Sequence, residues 1–249
     1  LGGEQQMISL GERNEGYLAK VGEPLIQFYG YKTCGVWNSA EEIAANPHFS
    51  DDAPGGIRIV DTNNDGSLTP EDRVALGTPY PDFTWGITNT FQIKDFDISF
   101  LIQGVQGITV LNGDVYYNET KKWNKKYTKN RWVSAEHPGD GKTPYQNVKT
   151  GHDLMLTDYP LQNASYACLR NFTVGYTLPA TAARKIKLSG VRFYVSGSNL
   201  LYIWGSGYKG INPESRMTSG NYSSAMISGY QRGGFPLTST ISAGFDINF

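Results

Sequence analysis

Between positions 61 and 72 oxygen-bearing side chains recur at every second residue: Asp61, Asn63, Asp65 and Ser67, closed by Asp72. Gly66 stands sixth and Leu68 eighth. This is the EF-hand-type spacing, in which alternate side chains and a backbone carbonyl near Ser67 surround a hard cation while the glycine permits a sharp turn. Asp72 occupies the twelfth place, where a glutamate would bind through both oxygens. The expectation is Ca2+, with Mg2+ admitted by the shorter carboxylate. Against it stands the tendency of Asp, Asn and Gly to gather in turns that hold no metal. A cation here would stiffen a loop, because no nucleophile or acid-base pair lies nearby.

Other reactive residues are sparse. His137 and His152 share a segment with Asp140 and Asp153, but neither spacing fits zinc, and solvated loop histidines are the expected reading. Trp123, Trp132 and Tyr145, with Trp204 and Tyr208 further on, either stack on a substrate or partner or pack inside folded loops. Asn118-Glu119-Thr120 and Asn221-Tyr222-Ser223 match glycosylation acceptors that carry little weight in a chain rich in Asn, Ser and Thr. There is no GxSxG, no phosphate-binding glycine loop and no catalytic carboxylate pair, so the chain is not expected to be an enzyme. Cys34 and Cys168 are too few for a disulfide scaffold and are not spaced as metal ligands. Whether they pair stays open.

The elements that position these residues follow from composition and pattern. With 22 Lys plus Arg against 23 Asp plus Glu, the formal charge of -1 gives no general reason to bind nucleic acid. Charged residues make up 18% of the chain, below the roughly 25% usual in soluble domains, while Gly (29), Tyr (16) and Phe (11) are plentiful, which favours strands and turns. No apolar run reaches the roughly 18 residues a membrane-spanning helix needs. Membrane-spanning strands stay open, since they alternate lipid-facing and water-facing residues and so keep an unremarkable mean hydropathy. No signal peptide is visible at the first residues.

Period-two alternation is clearest in the last stretch, where Ile241, Ala243, Phe245, Ile247 and Phe249 interleave with polar or small residues. It recurs at Val191, Phe193 and Val195, fading through Asn199 toward Tyr202 and Trp204, and again at Phe172, Val174, Tyr176 and Leu178. Trp85, Ile87, Phe91 and Ile93 oppose Thr84, Thr88, Thr90 and Gln92. Phe96, Ile98, Phe100 and Ile102 follow at once, so a tight turn at Lys94-Asp95 makes an antiparallel hairpin. Leu25 to Tyr31 reads as a strand without clean alternation, and residues 5 to 16 hold another. Two connections are short, Lys94-Asp95 and the Pro179 to Gly190 segment bearing Arg184, Lys185 and Lys187. Three are long, residues 38–82, 111–165 and 205–237. In an antiparallel meander with this alternation all the short links fall at one end and all the long ones at the other, the asymmetry of outer-membrane barrels.

Phe249, closing an alternating strand, looks like the aromatic C-terminal assembly signal of such barrels. Further segments resemble the SusC/RagA family of TonB-dependent transporters: Val21-Gly22-Glu23-Pro24 through Phe28-Tyr29-Gly30-Tyr31-Lys32; Asp61-Thr62-Asn63-Asn64-Asp65-Gly66 with Leu76-Gly77-Thr78-Pro79; Ala164-Ser165-Tyr166 through Leu169-Arg170-Asn171 to Gly175-Tyr176-Thr177-Leu178-Pro179; Val195-Ser196-Gly197-Ser198-Asn199-Leu200; and Gly210-Ile211-Asn212-Pro213-Glu214. Cys168 departs from the family's pattern. The segments keep the family's order over nearly the whole chain.

The resemblance implies an all-β fold: six or seven C-terminal strands of a large antiparallel transmembrane β-barrel of about 22 strands, with short periplasmic turns and long extracellular loops. It implies an outer-membrane importer of glycans or peptides, energised through TonB and capped by a SusD-like lipoprotein. Neither plug nor TonB box is present in this sequence. Six or seven strands cannot close such a barrel, so the remainder of the barrel and its plug are expected partners, as is outer-membrane lipid. The alternative is a soluble Ca2+-dependent glycan-binding β-sandwich, in which a second sheet covers one of the two rows.

Overall fold

The computed structural model describes residues 6–10, 13–113, 129–145, 154–205, 207–215, 229–231 and 234–249. In chain order its strands are β1 (Gln6–Leu10), β2 (Arg13–Ala19), β3 (Gln27–Gly30), β4 (Thr33–Val36), β5 (Ile57–Ile59), β6 (Val74–Gly77), β7 (Phe83–Ile93), β8 (Phe96–Gln106), β9 (Thr109–Asn112), β10 (Leu161–Asn163), β11 (Tyr166–Thr177), β12 (Gly190–Trp204), β13 (Tyr230–Gln231) and β14 (Thr240–Asn248). Two short helices join them, α1 (Ala40–Ala44) and α2 (Ala180–Lys185). The chain divides into two units: one of Leu1–Tyr80, Ile108–Asn163 and Glu214–Gly234, the other of Pro81–Gly107, Ala164–Pro213 and Phe235–Phe249.

The second unit is one antiparallel sheet in the order β14-β12-β11-β8-β7. β7 and β8 pair from Phe83↔Gln106 to Ile93↔Phe96, so the link is Lys94-Asp95, as the alternation requires. β7 and β8 have 11 residues each, β11 has 12, β12 has 15 and β14 has 9. At about 3.3 Å per residue that is enough to cross a hydrocarbon layer about 30 Å thick at a tilt. One face carries an apolar row across the strands, shown by the registers Phe100↔Phe172, Tyr176↔Phe193 and Phe193↔Phe245. Ile87, Phe91, Phe193, Val195, Ile241 and Phe245 are all exposed, so no second sheet of the described residues covers that row. The other face carries Asp97, Ser99, Thr173, Arg192, Ser196 and Ser242. These alternate with the apolar row because successive side chains in a strand point to opposite faces.

The fading pattern near Asn199 has a physical cause. Between Leu169 and Asn171 the register shifts against both β8 and β12, and Asn199 takes a left-handed φ of 56°. β11 inserts one residue relative to β8, so its alternation resumes in opposite phase beyond the bulge, while β12 inserts one more than β11 and so returns to its own phase after the interruption. Leu201 and Ile203 thereby rejoin the exposed apolar side.

The first unit holds a four-stranded sheet, β1-β2-β3-β6, a three-stranded sheet, β10-β9-β13, and the β4-β5 pair. Where one strand was expected over residues 5 to 16 the described residues hold two, β1 and the start of β2, and within Leu25 to Tyr31 lies β3; all three belong to the first of these sheets and not to the five-stranded one. Tyr17, Ala19, Ile26, Phe28, Leu111 and Tyr230 make one core cluster, and Tyr31, Val36, Ile57 and Ile59 another, against which Phe49, Leu68 and Trp132 pack. The described parts of the long connections are therefore folded. Their strands have two to four residues, too few to show a period.

Candidate functional site

The loop from Asp61 to Asp72 is set between β5 and a single 3-10 turn over Pro70–Asp72. Upstream Ile57–Ile59 is extended, as Ile57-Arg58-Ile59-Val60 implies. Downstream Thr69 is the N-cap and accepts from the Glu71 N–H at 3.2 Å, with Pro70 first in the turn, where its missing N–H costs nothing. Within the loop the Asp61 carboxylate accepts from the backbone N–H groups of Asn64 (2.7 Å) and Gly66 (2.9 Å). Asn63 Oδ1 accepts from Asp65 N–H, and Asp65 accepts from Ser67 N–H and from the Asn63 side-chain amide. Gly66 has a φ of +86°, a conformation glycine adopts without steric cost.

Asp72 is fully buried and ties the two ends of the loop together. One of its oxygens accepts from Thr62 N–H (2.8 Å), Asn63 N–H (3.4 Å) and the Thr62 hydroxyl, and the other from Thr69 N–H (2.9 Å). Burial pushes this carboxyl up, but the amides outweigh it and hold it below the usual carboxylate range. The Asp61 side chain also contributes to lowering it. Among the described residues no three His, Cys, Asp or Glu side chains converge as a metal cluster. In this conformation the loop amides occupy the carboxylates, so a cation would have to draw Asp65, Asn63 and Ser67 inward.

The polar face of the five-stranded sheet carries a network that spacing alone did not single out. Arg192 on β12 reaches across β11 to Asp97 on β8, donating from Nε (3.0 Å) and Nη2 (2.6 Å), and contacts Asp246 on β14 at 3.4 Å. Gly175 on β11 lies beneath, where a Cβ would meet both Asp97 and Arg192. Near the bulge Arg170 donates to Gln103 (3.2 Å), Asn199 (2.8 Å) and the Tyr202 hydroxyl (3.0 Å). Partners 95 residues apart leave no local signal. Only the register reveals them.

Of the aromatic candidates, Trp132 and Tyr145 meet edge to face at 6.2 Å and close over Gly55, whose added Cβ would strike both. Trp132 packs against a core cluster, so it is a packing residue, while Tyr145 keeps an exposed side. Trp204 ends β12 half exposed, with Tyr202 at 6.5 Å and the buried Tyr208 at 6.1 Å. Trp123, His152, Asp153 and both glycosylation-like triplets lie outside the described residues. His137 is exposed and pairs through its backbone with Ser134. Asp140 accepts from the N–H groups of Lys142 and Thr143 and from the Thr143 hydroxyl. Cys34 and Cys168 are both free thiols, the first exposed and the second buried. Phe249 is almost wholly exposed.

No family model matches the chain. Among curated proteins it is 31% identical over 239 residues to TonB-dependent receptor P26 of Formosa agariphila and 30% identical over 240 residues to P3 of the same organism, covering 92% and 93% of the chain. It is also 27% identical over 157 residues to TonB-dependent receptor SusC of Bacteroides thetaiotaomicron, over 63% of the chain. The chain spans 23% of the length of P26 and of P3, and the SusC match spans 15% of that protein. In three dimensions it is similar to the RagAB peptide importer in the open-open state, with a TM-score of 0.70 at 18% identity, over all of this chain and 24% of the other. A structure of the RagAB peptide transporter gives a TM-score of 0.71 at 19% identity, over 99% of this chain and 24% of the other.

Proposed function

The chain belongs to the SusC/RagA family of TonB-dependent receptors, and from that premise we propose that it forms the C-terminal wall and outer loops of an outer-membrane importer. Substrate, a glycan or a peptide, enters from the side of the long connections with the help of a SusD-like lipoprotein. Energy arrives from TonB through a plug contributed by the rest of the polypeptide. The observation that carries this reading is the five-stranded sheet, whose strands of 9 to 15 residues keep an exposed apolar row opposite a polar one. A water-soluble sandwich needs that row covered, and Ile87, Phe193 and Phe245 are uncovered.

The full-length receptor should fractionate with outer membranes, need detergent for extraction, and migrate differently in gels before and after boiling. Its deletion should abolish growth on one polymeric nutrient, and the nutrient affected would separate glycan from peptide. Recovery as a monodisperse protein without detergent would refute the barrel.

The loop of Asp61, Asn63, Asp65, Ser67 and Asp72 is proposed to take Ca2+, or Mg2+ in its place, as a stiffener of the 38–82 connection. Its spacing and the positive-φ glycine at Gly66 support this. A saturable Tb3+ luminescence signal that Ca2+ displaces, lost in Asp61→Ala, is the expected result. Equal signal in wild type and variant would sink it.

A further inference from the structure

The two short connections of the five-stranded sheet carry an unbalanced charge. The turn Lys94-Asp95 and the segment from Pro179 to Ser189 hold Lys94, Arg184, Lys185 and Lys187 against one carboxylate, Asp95, in a chain whose overall charge is -1. All four cations are exposed, and none makes a side-chain hydrogen bond or ion pair with a described residue. The nearest acids on the adjoining strands, Asp97 and Asp246, are already engaged by Arg192.

Backbone bonds gather these cations at one rim. Thr177 N–H donates to Asp95 O at 2.8 Å, which sets the hairpin turn beside the entry to α2. Leu178 N–H donates to Val191 O and Ser189 N–H to Asn248 O, each at 2.8 Å, which tie the α2 segment to the ends of β12 and β14. Exposed apolar side chains flank the same rim: Ile93 and Phe96 beside the turn and Ile186 just after α2. Local geometry does not explain the lysines. Lys94 and Lys187 sit at left-handed φ values of 56° and 58°, where glycine or asparagine is less strained.

We propose that this rim is a docking surface for anionic glycerophospholipid headgroups of the leaflet at the short-turn end. The inference rests on the barrel reading above. In that setting the exposed rows of β7, β8 and β12 lie in hydrocarbon, and the cations at their ends fall at headgroup depth, where basic side chains reach the interface while their stems stay apolar. Complementary charge favours a phosphate-bearing anionic headgroup over a zwitterionic one. Ile93, Phe96 and Ile186 favour a lipid over a free phosphate ester.

The test uses the full-length receptor in detergent, exposed to equimolar phosphatidylglycerol and phosphatidylcholine and read by native mass spectrometry. Phosphatidylglycerol should be retained at least about tenfold over phosphatidylcholine, with about a fivefold loss of retention for each cation neutralised. The variant K94Q/R184Q/K185Q/K187Q should show no preference. The charge-preserving variant K94R/R184K/K185R/K187R should keep it, and about 1 M NaCl should abolish it in the wild type. Equal retention of both lipids by the wild type, a preference surviving in the neutral variant, or displacement by glycerol 3-phosphate would each overturn the site. A detergent-dependent receptor without preference removes the lipid site alone. One that stays soluble without detergent removes the barrel reading and the lipid site together.

Discussion

Replacing Asp72 with alanine removes the group that fastens both ends of the 61–72 loop. Its two oxygens accept from the amides of Thr62, Asn63 and Thr69 at 2.8, 3.4 and 2.9 Å, and from the Thr62 hydroxyl. A hydrogen bond to a charged group contributes about 1.5 to 3 kcal/mol. The two short amide bonds therefore place the local loss at about 3 to 5 kcal/mol, the lower figure applying because the half-buried amides partly regain water. Asp72→Asn keeps one acceptor oxygen but turns an amino group toward an N–H donor, so about half that loss is expected. Hydrogen exchange of the full-length receptor reads this directly. Protection of the Thr62 and Thr69 amides should fall by two to three orders of magnitude in Asp72→Ala and less in Asp72→Asn, with β7 and β8 unaffected. Unchanged protection in Asp72→Ala would mean that the buried carboxylate does not hold the loop.

Gly175→Ala should push Asp97 and Arg192 apart, because the new methyl fills the space their ion pair occupies; an unaltered melting temperature, with the pair intact in a variant structure, would refute this. Burial pushes the Cys34 thiol up, against the opposing pull of Arg58. Iodoacetamide should therefore modify it more slowly at pH 7.5 than a free thiol, and Arg58→Met should slow it further, with one label per chain because Cys168 is buried. Burial would raise the Asp140 carboxyl, but the Lys142 and Thr143 donors hold it below the usual range. Its contribution is thus fully present above the unfolded value near 3.9 and lost as pH falls through the lower folded value. Exchange protection at Lys142 and Thr143, corrected for intrinsic rates, should drop between pH 5 and pH 2, and Asp140→Asn should show the drop already at pH 5.

The long strands were legible because ten or so alternating residues overdetermine a period of two, and Ile93 to Phe96 leaves room for only one kind of turn. The metal-type loop was legible as a spacing, from Asp61 to Asp72. What spacing concealed was that Asp72 is buried and spends both oxygens on amides, since the donors are loop N–H groups whose direction only the folded backbone sets. In the first unit the strands near Leu25 to Tyr31 and residues 5 to 16 were read, while β4, β6, β9, β10 and β13 were missed for lack of length. Tyr230–Gln231 runs parallel to β9 after more than a hundred intervening residues. The Arg192 network stayed hidden because each partner, taken alone, is an ordinary polar residue in a polar row. Trp132 illustrates the opposite limit: its type left ligand stacking and loop packing equally open, and its packing against the core cluster is visible only in three dimensions.

The added residues at Arg170 and Asn199 mark a height at which the wall can lose a residue without turning inside out. Deleting Arg170 alone would bring Leu169 and Asn171 into neighbouring slots, as Ile102 and Leu101 already are on β8, so the side chains above and below would keep their sides. Deleting Asn199 would leave one extra residue opposite Arg170, and Leu201 and Ile203 would stay on the oily exterior. A one-residue deletion elsewhere in either strand shifts parity and exchanges oily for aqueous faces between the cut and the bulge. A scan of single deletions along these two strands should therefore be mildest at that height, and two-residue deletions, which preserve parity, should be milder than single ones away from it.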